Sequence, residues 1–133
     1  MEKTLYIEIE ACNRHFYEGA CESLILPTID GEYGVLCGHE PVVMAVNAGE
    51  ARLKVDGQWK KAFLGEGFAE ILPTGVILLV DTAEWEEEID IRRAEEAMAR
   101  AKERMRQKQS VFEYHNSKAD LARAIARLHV RRH

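Results

Sequence analysis

The sequence predicts an α+β chain, with a β domain over residues 1–85 followed by two helices within 86–133. Three observations predict it. Up to Val80, apolar residues alternate with polar ones in short runs. From Asp90 onward they recur every three or four residues. The alanine-rich tail also contains no Gly or Pro, whereas the first part is punctuated by both. The change falls between Trp85 and Ala94.

Each element follows in chain order. Leu5, Ile7 and Ile9 alternate with Tyr6, Glu8 and Glu10, which is the pattern of a half-buried strand. Leu24, Ile25 and Leu26 read as another strand, ended by Pro27. Asp30-Gly31 is a turn signal. Residues 42–46 form an apolar strand, and Asn47-Ala48-Gly49 turns the chain. Ala51, Leu53 and Val55 point one way, Arg52 and Lys54 the other. Asp56-Gly57 then predicts a hairpin, because Gly tolerates the positive φ of a type I′ turn. Strands over 59–64, 68–72 and 76–80 are separated by Gly65-Glu66-Gly67 and Pro73-Thr74-Gly75. Short strands at this spacing indicate a sandwich or a barrel.

In the tail, Ile91, Ala94, Met98, Ala101 and Met105 mark one helix. Leu121, Ala124, Ile125 and Leu128 mark a second. These stripes are narrow and rich in alanine. They bury little apolar area, so the pair is expected to dock on something or to change arrangement. The link over 107–110 has no helix breaker, so nothing prevents the helices from extending apart.

Charge divides at the same place. Residues 1–89 hold 6 of the 18 Lys/Arg and 17 of the 23 Asp/Glu, so the remainder of the chain is net basic. The basic tail reads either as a solvated helix surface or as a docking surface for an anion or an acidic partner. The acidic run at Glu84 and Glu86 to Glu88 reads as a solvated edge before a hinge. The longest apolar run, 76–80, falls far short of the roughly 20 residues of a membrane helix. The first residues begin a strand pattern rather than a signal peptide. Three cysteines, Cys12, Cys21 and Cys37, lack tight metal spacing and indicate a reduced, cytosolic setting. Gly38-His39-Glu40-Pro41 reads as a tight surface loop. With no nucleophile–base pair, P-loop or dinucleotide glycine signature, neither a catalytic set nor a metal site is expected, and no nucleic-acid partner.

The tail arginines are more informative. Asp90, Arg93, Ala94, Ala97 and Arg100 fall near one helical face. Arg123 and Arg127, four apart, share a face of the second helix. If the helices fold back antiparallel, four guanidinium groups converge beside one carboxylate. Forked guanidinium donors suit phosphate, and a carboxylate such as Asp90 can accept from an adenine amino group or a ribose hydroxyl. The alternative is that Asp90 is an N-cap and the arginines pair with Glu96, Glu103 and Asp120. Arg92 and Arg93 sit in the first helical turn, where the macrodipole disfavours cations, and this favours a ligand role.

With these residues in view, the chain resembles the epsilon subunit of bacterial F-type ATP synthase over nearly its whole length. One segment runs from Gly31-Glu32-Tyr33-Gly34 through Gly38-His39-Glu40-Pro41 to Gly49. It is similar to the family's Gly-x-x-Gly … Gly-His-x-Pro … Gly pattern. The other, Ile89-Asp90-Ile91-Arg92-Arg93-Ala94, resembles its nucleotide motif. The resemblance implies a ten-stranded antiparallel β-sandwich, then an antiparallel two-helix hairpin. It implies a non-catalytic rotor subunit at the cytoplasmic face of the cell membrane, between the gamma subunit and the c-ring. Glu32 and His39 fall at rotor-contact positions. In an extended form the helices would reach the alpha/beta catalytic head and block ATP hydrolysis. ATP is the implied regulatory ligand, with Glu84, Asp90, Arg93, Ala94, Arg100, Arg123 and Arg127 at the ATP-binding positions. Two other readings stand beside this one: a purely structural stalk subunit, and an unrelated sandwich adaptor with a helical interaction tail.

Overall fold

A computed structural model describes residues 4–38, 40–107 and 110–132. It contains ten strands: β1 (Leu5–Ala11), β2 (Arg14–Cys21), β3 (Ser23–Thr28), β4 (Gly31–Val35), β5 (Val42–Val46), β6 (Gly49–Val55), β7 (Gln58–Leu64), β8 (Gly67–Leu72), β9 (Gly75–Val80) and β10 (Ala83–Trp85). A 3₁₀ turn (Glu86–Glu88) leads into α1 (Ile91–Arg106) and α2 (Val111–Arg132). The strands form two five-stranded sheets, ordered β2-β1-β9-β8-β5 and β10-β7-β6-β3-β4.

The period-2 residues build the core. Leu5, Ile7, Ile9, Leu24, Leu26, Leu53, Ile71 and Leu78 are fully buried between the sheets. Asp56 and Gly57 both have positive φ, 51° and 76°, as the hairpin reading requires. The expected all-antiparallel sandwich needs one correction, since β1 runs parallel to β9. No tight turn joins these two strands, and only a tight turn imposes antiparallel pairing. Pro27 does not end β3. The pairing with β6 stops at Ile25, so beyond it β3 needs no proline N–H on that side. Strands β2, β4 and β10 carry no clear alternation, so the residue pattern does not mark them; only the ten-strand count implied by the resemblance includes them.

A bulge between Ile9 and Glu10 of β1 leaves Phe16 of β2 without a cross-strand partner. Its ring stacks on Trp85, with centroids 4.4 Å apart. The start of the tail is thereby fastened to the sandwich.

The two helices run antiparallel, as the ion pairs Arg104–Asp120 at one end and Glu95–Arg132 at the other show. Ala94 and Ala101 of α1 and Ser117, Ala124 and Leu128 of α2 are buried. Ile125, expected on the apolar stripe, is instead 48% exposed. The tail docks, as its narrow stripes require. Val130 of α2, fully buried, closes with Ile89 over Phe63 of β7, and Ala48 and Ala126 pack around them. At its start, Ser110 Oγ accepts the Glu113 N–H at 3.1 Å while Glu113 faces the Ser110 N–H, a capping box absent from the sequence reading.

Gly67 begins β8 with its α-carbon directly against the β9 backbone. A Cβ there would lie 2.0 Å from the Leu79 carbonyl oxygen and 2.7 Å from Val80 Cα. We predict that Gly67→Ala costs about 2–3 kcal/mol by overpacking. Urea unfolding checks this, and a loss below about 0.5 kcal/mol would show that the strands part freely there.

Candidate functional site

A cleft of about 350 Å³ opens where α1, α2 and the end of the second sheet meet. Six predicted residues line it: Glu84, Asp90, Arg93, Ala94, Arg100 and Arg127. Glu88, Ala97 and Ala124 complete the lining. Arg123, the seventh, lines an adjoining hollow of about 200 Å³, which shares Ala97, Arg100, Ala124 and Arg127 with the first. Thus residues widely separated in sequence meet in one groove. Its alanines are short enough to leave space that the longer arginine side chains surround.

The predicted side chains do different things. Asp90 is the N-cap of α1, and its Oδ1 accepts the Arg93 N–H at 3.1 Å. In this state the capping alternative is therefore realised. Arg123 donates to Glu66 at 3.1 Å and also pairs with Asp120. Arg127 donates from Nε to Glu84 at 2.8 Å, and its guanidinium lies 4.3 Å above the Phe63 ring. Arg92, in the first turn, pairs with Glu96 at 3.2 Å. Among the described residues, the Arg93 and Arg100 guanidinium groups have no ion-pair partner. Both are exposed at the cleft. Of the carboxylates beside them, Glu84 and Glu88 are paired with Arg127 and Arg14, while Asp90 keeps its charge, so two unpaired guanidinium groups face one carboxylate and the balance is positive. Such a groove suits an anion that accepts from several forks at once.

The acidic run before the helices is solvated at Glu87 and Glu88, as expected, but Glu86 and Glu88 are also tied to the sandwich. Glu88 takes two hydrogen bonds from Arg14, at 3.0 and 2.7 Å, and accepts the Trp85 N–H at 2.8 Å. The Arg14 hydrogen bonds, then the backbone N–H, hold its carboxyl below the ordinary value. Glu86 pairs with Lys61 at 2.9 Å. These contacts anchor residues 83–88 to the sandwich.

Other sequence candidates lie elsewhere. Glu32 on β4 is exposed and pairs with Arg52 at 2.7 Å, away from the cleft. His39 lies outside the described residues. His15 on β2 lies with Glu8 and Glu10 of β1 in a surface cluster away from the cleft. Hydrogen bonding to Glu10 raises its pKa. Sequence reasoning missed Arg14, Glu88 and Phe63 as parts of the site. Only Phe63 left a signal: Ala62-Phe63-Leu64 breaks the strand alternation, and all three are buried, so β7 is covered on both faces.

Fold and cleft together define a β-sandwich protein with a docked helical hairpin and an arginine-lined groove at their junction. The chain belongs to the ATP synthase delta/epsilon chain family. Residues 4–86 match the model of that family's beta-sandwich domain, and residues 87–131 match its long alpha-helix domain. The chain is 48% identical to the ATP synthase epsilon chain of Ruminiclostridium cellulolyticum, over 94% of this chain and 93% of that one. It is 45% identical to that of Caldanaerobacter subterraneus subsp. tengcongensis, over 98% and 95%. A chain in a cryo-EM structure of Euglena gracilis mitochondrial ATP synthase, OSCP/F1/c-ring, shares the fold at TM-score 0.84. It is 20% identical, with 98% of this chain and 82% of that chain covered.

The Arg14–Glu88 tie gives a pH prediction. A carboxyl lowered by folding contributes stability above its unfolded value and loses it as pH falls through the lowered folded value. Glu88→Gln should therefore cost a little stability at pH 7, about 1 kcal/mol or less because both groups are solvent-screened. The gap from wild type should close below about pH 4.5. Urea titrations at pH 7 and pH 3 test it, and a gap that widens in acid contradicts the assignment.

Proposed function

We propose that this chain is the non-catalytic epsilon subunit of a bacterial F-type ATP synthase, coupling gamma to the c-ring on the cytoplasmic face of the membrane. We propose further that its helical hairpin is an ATP-sensitive brake. The observation that carries the second part is the groove: the Ile89–Ala94 motif and the arginines of both helices meet in one cleft. The coupling role is supported by the sandwich's outer face, where Phe68 and its cross-strand partner Leu79 stand exposed with Val43 on the same sheet. Exposed apolar surface of this kind fits a protein partner.

The mechanism follows from which elements build the cleft. A polyphosphate held by Arg93 and Arg100 on α1 and Arg127 on α2 binds only while both helices lie folded. Extension up the stalk toward the alpha/beta head separates these groups and abolishes the site. ATP then shifts the population by its differential affinity for the two states. At ten times its Kd it favours the folded form by about 1.4 kcal/mol. By linkage, contacts that hold the tail extended weaken ATP binding to the same degree. Plentiful ATP keeps the brake off.

A second reading rests on the ion pairs. Arg123 and Arg127 are already matched to Asp120, Glu66 and Glu84, as a purely structural brace would have them. Nucleotide titration separates the two. In the isolated chain, Arg127→Ala should raise the ATP Kd about tenfold or more, the loss of a charged hydrogen-bond donor, while the sandwich stays folded. Unchanged affinity by calorimetry leaves only the brace. Truncation after Glu88 should preserve assembly with gamma and abolish inhibition of hydrolysis. Failure to assemble would contradict the division of labour between sandwich and tail.

A further inference from the structure

Glu84 on β10 and Phe63 on β7 are directly opposed cross-strand partners, so their side chains share the outer face of the second sheet. Helix α2 lies on that face through Val130. Arg127 of α2 comes down onto both partners at once. Its guanidinium lies 4.3 Å above the Phe63 ring, and its Nε donates to Glu84 at 2.8 Å. The Phe63 ring is itself fully buried with Ile89 and Val130, so packing restrains it from turning away. A guanidinium held over a ring and hydrogen-bonded to a carboxylate is placed before any ligand arrives.

We propose that Phe63 is a positioning residue for the nucleotide cleft: with Glu84 opposite it, its ring sets Arg127 so that the cleft is complete only while α2 lies on the sandwich. This rests on the reading of the cleft as a nucleotide site and deepens it. The switch is then sensitive to docking as well as to hairpin closure. Two helices lying side by side but lifted from β7 keep Arg93, Arg100 and Arg127 close, yet lose the platform that fixes Arg127. The sandwich becomes part of the sensor.

The test uses the full chain. Phe63→Leu keeps an apolar residue beneath Val130 and removes the ring face. We expect the ATP Kd by calorimetry to rise about five- to tenfold, the chain to stay folded with a melting temperature lowered by a few degrees for the lost ring volume, and Phe63→Tyr to restore binding to within about twofold. A folded Phe63→Leu protein with wild-type affinity overturns the proposal. So does a loss that Phe63→Tyr fails to restore, because the ring face is then not what matters. Should Phe63→Leu not fold, the wild-type chain still decides: the Arg127 Nε–H proton must show an upfield ring-current shift by NMR without nucleotide, and its absence overturns the proposal. Arg127→Ala keeps the two levels apart. If wild type binds no ATP, or Arg127→Ala binds it equally well, the nucleotide reading falls and this inference with it. If Arg127→Ala weakens binding and Phe63→Leu does not, only this inference falls.

Discussion

The grip of Arg127 on the sandwich is the contact on which the rest of the structure turns. One side chain of α2 reaches a ring on β7 and a carboxylate on β10. It fastens the second helix to the sandwich and places a cation in the lining of the cleft. Because Phe63 and Glu84 are opposed on neighbouring strands, the grip depends on sandwich register as much as on the helices.

Around this contact the tail is fastened unevenly, and that unevenness gives it a pivot. Residues 83–88 are secured by strand pairing, by the Phe16–Trp85 stack and by the Arg14–Glu88 and Lys61–Glu86 pairs. Past them, the hairpin meets the sandwich through a small apolar cluster and a few ion pairs. Partly exposed ion pairs contribute little each. The alanine interface between the helices buries little area per residue. On the proposed reading, a tail held this lightly is released, and an anion that satisfied Arg93 and Arg100 would add what the apolar contacts lack. The receptive groove and the movable tail would then come from the same choice of small and basic residues.

Much of this was legible in the sequence, for identifiable reasons. Strands β1 and β6 announce themselves through alternation, β9 as an unbroken apolar run between glycine- and proline-containing turns, and Asp56-Gly57 fixes a hairpin by backbone conformation alone. Helical spacing placed Asp90, Arg93, Ala94, Ala97 and Arg100 together, and the structure keeps them together at the cleft. Glu84 entered only through family resemblance, since no local pattern links a strand residue to a helix beyond it. What stayed hidden is tertiary. The parallel pairing of β1 with β9 and the Arg14–Glu88 tie each join segments far apart in the chain, where periodicity carries no information. Strand β2 was hidden because, at a sheet edge, it mixes polar and aromatic residues on both faces. Glu86 and Glu88 looked like a solvated run because their partners, Lys61 and Arg14, lie on other strands.

The central claim is that ATP holds α2 down on the second sheet. Pulsed electron–electron resonance on the full chain measures this directly, with spin labels at Gln58, the exposed first residue of β7, and at Ala122 on the exposed side of α2, and the native thiols replaced. The account predicts a short distance together with a longer, undocked population without nucleotide, and collapse onto the short distance when ATP is added. A distribution that ATP leaves unchanged, or shifts toward the longer distance, would contradict it.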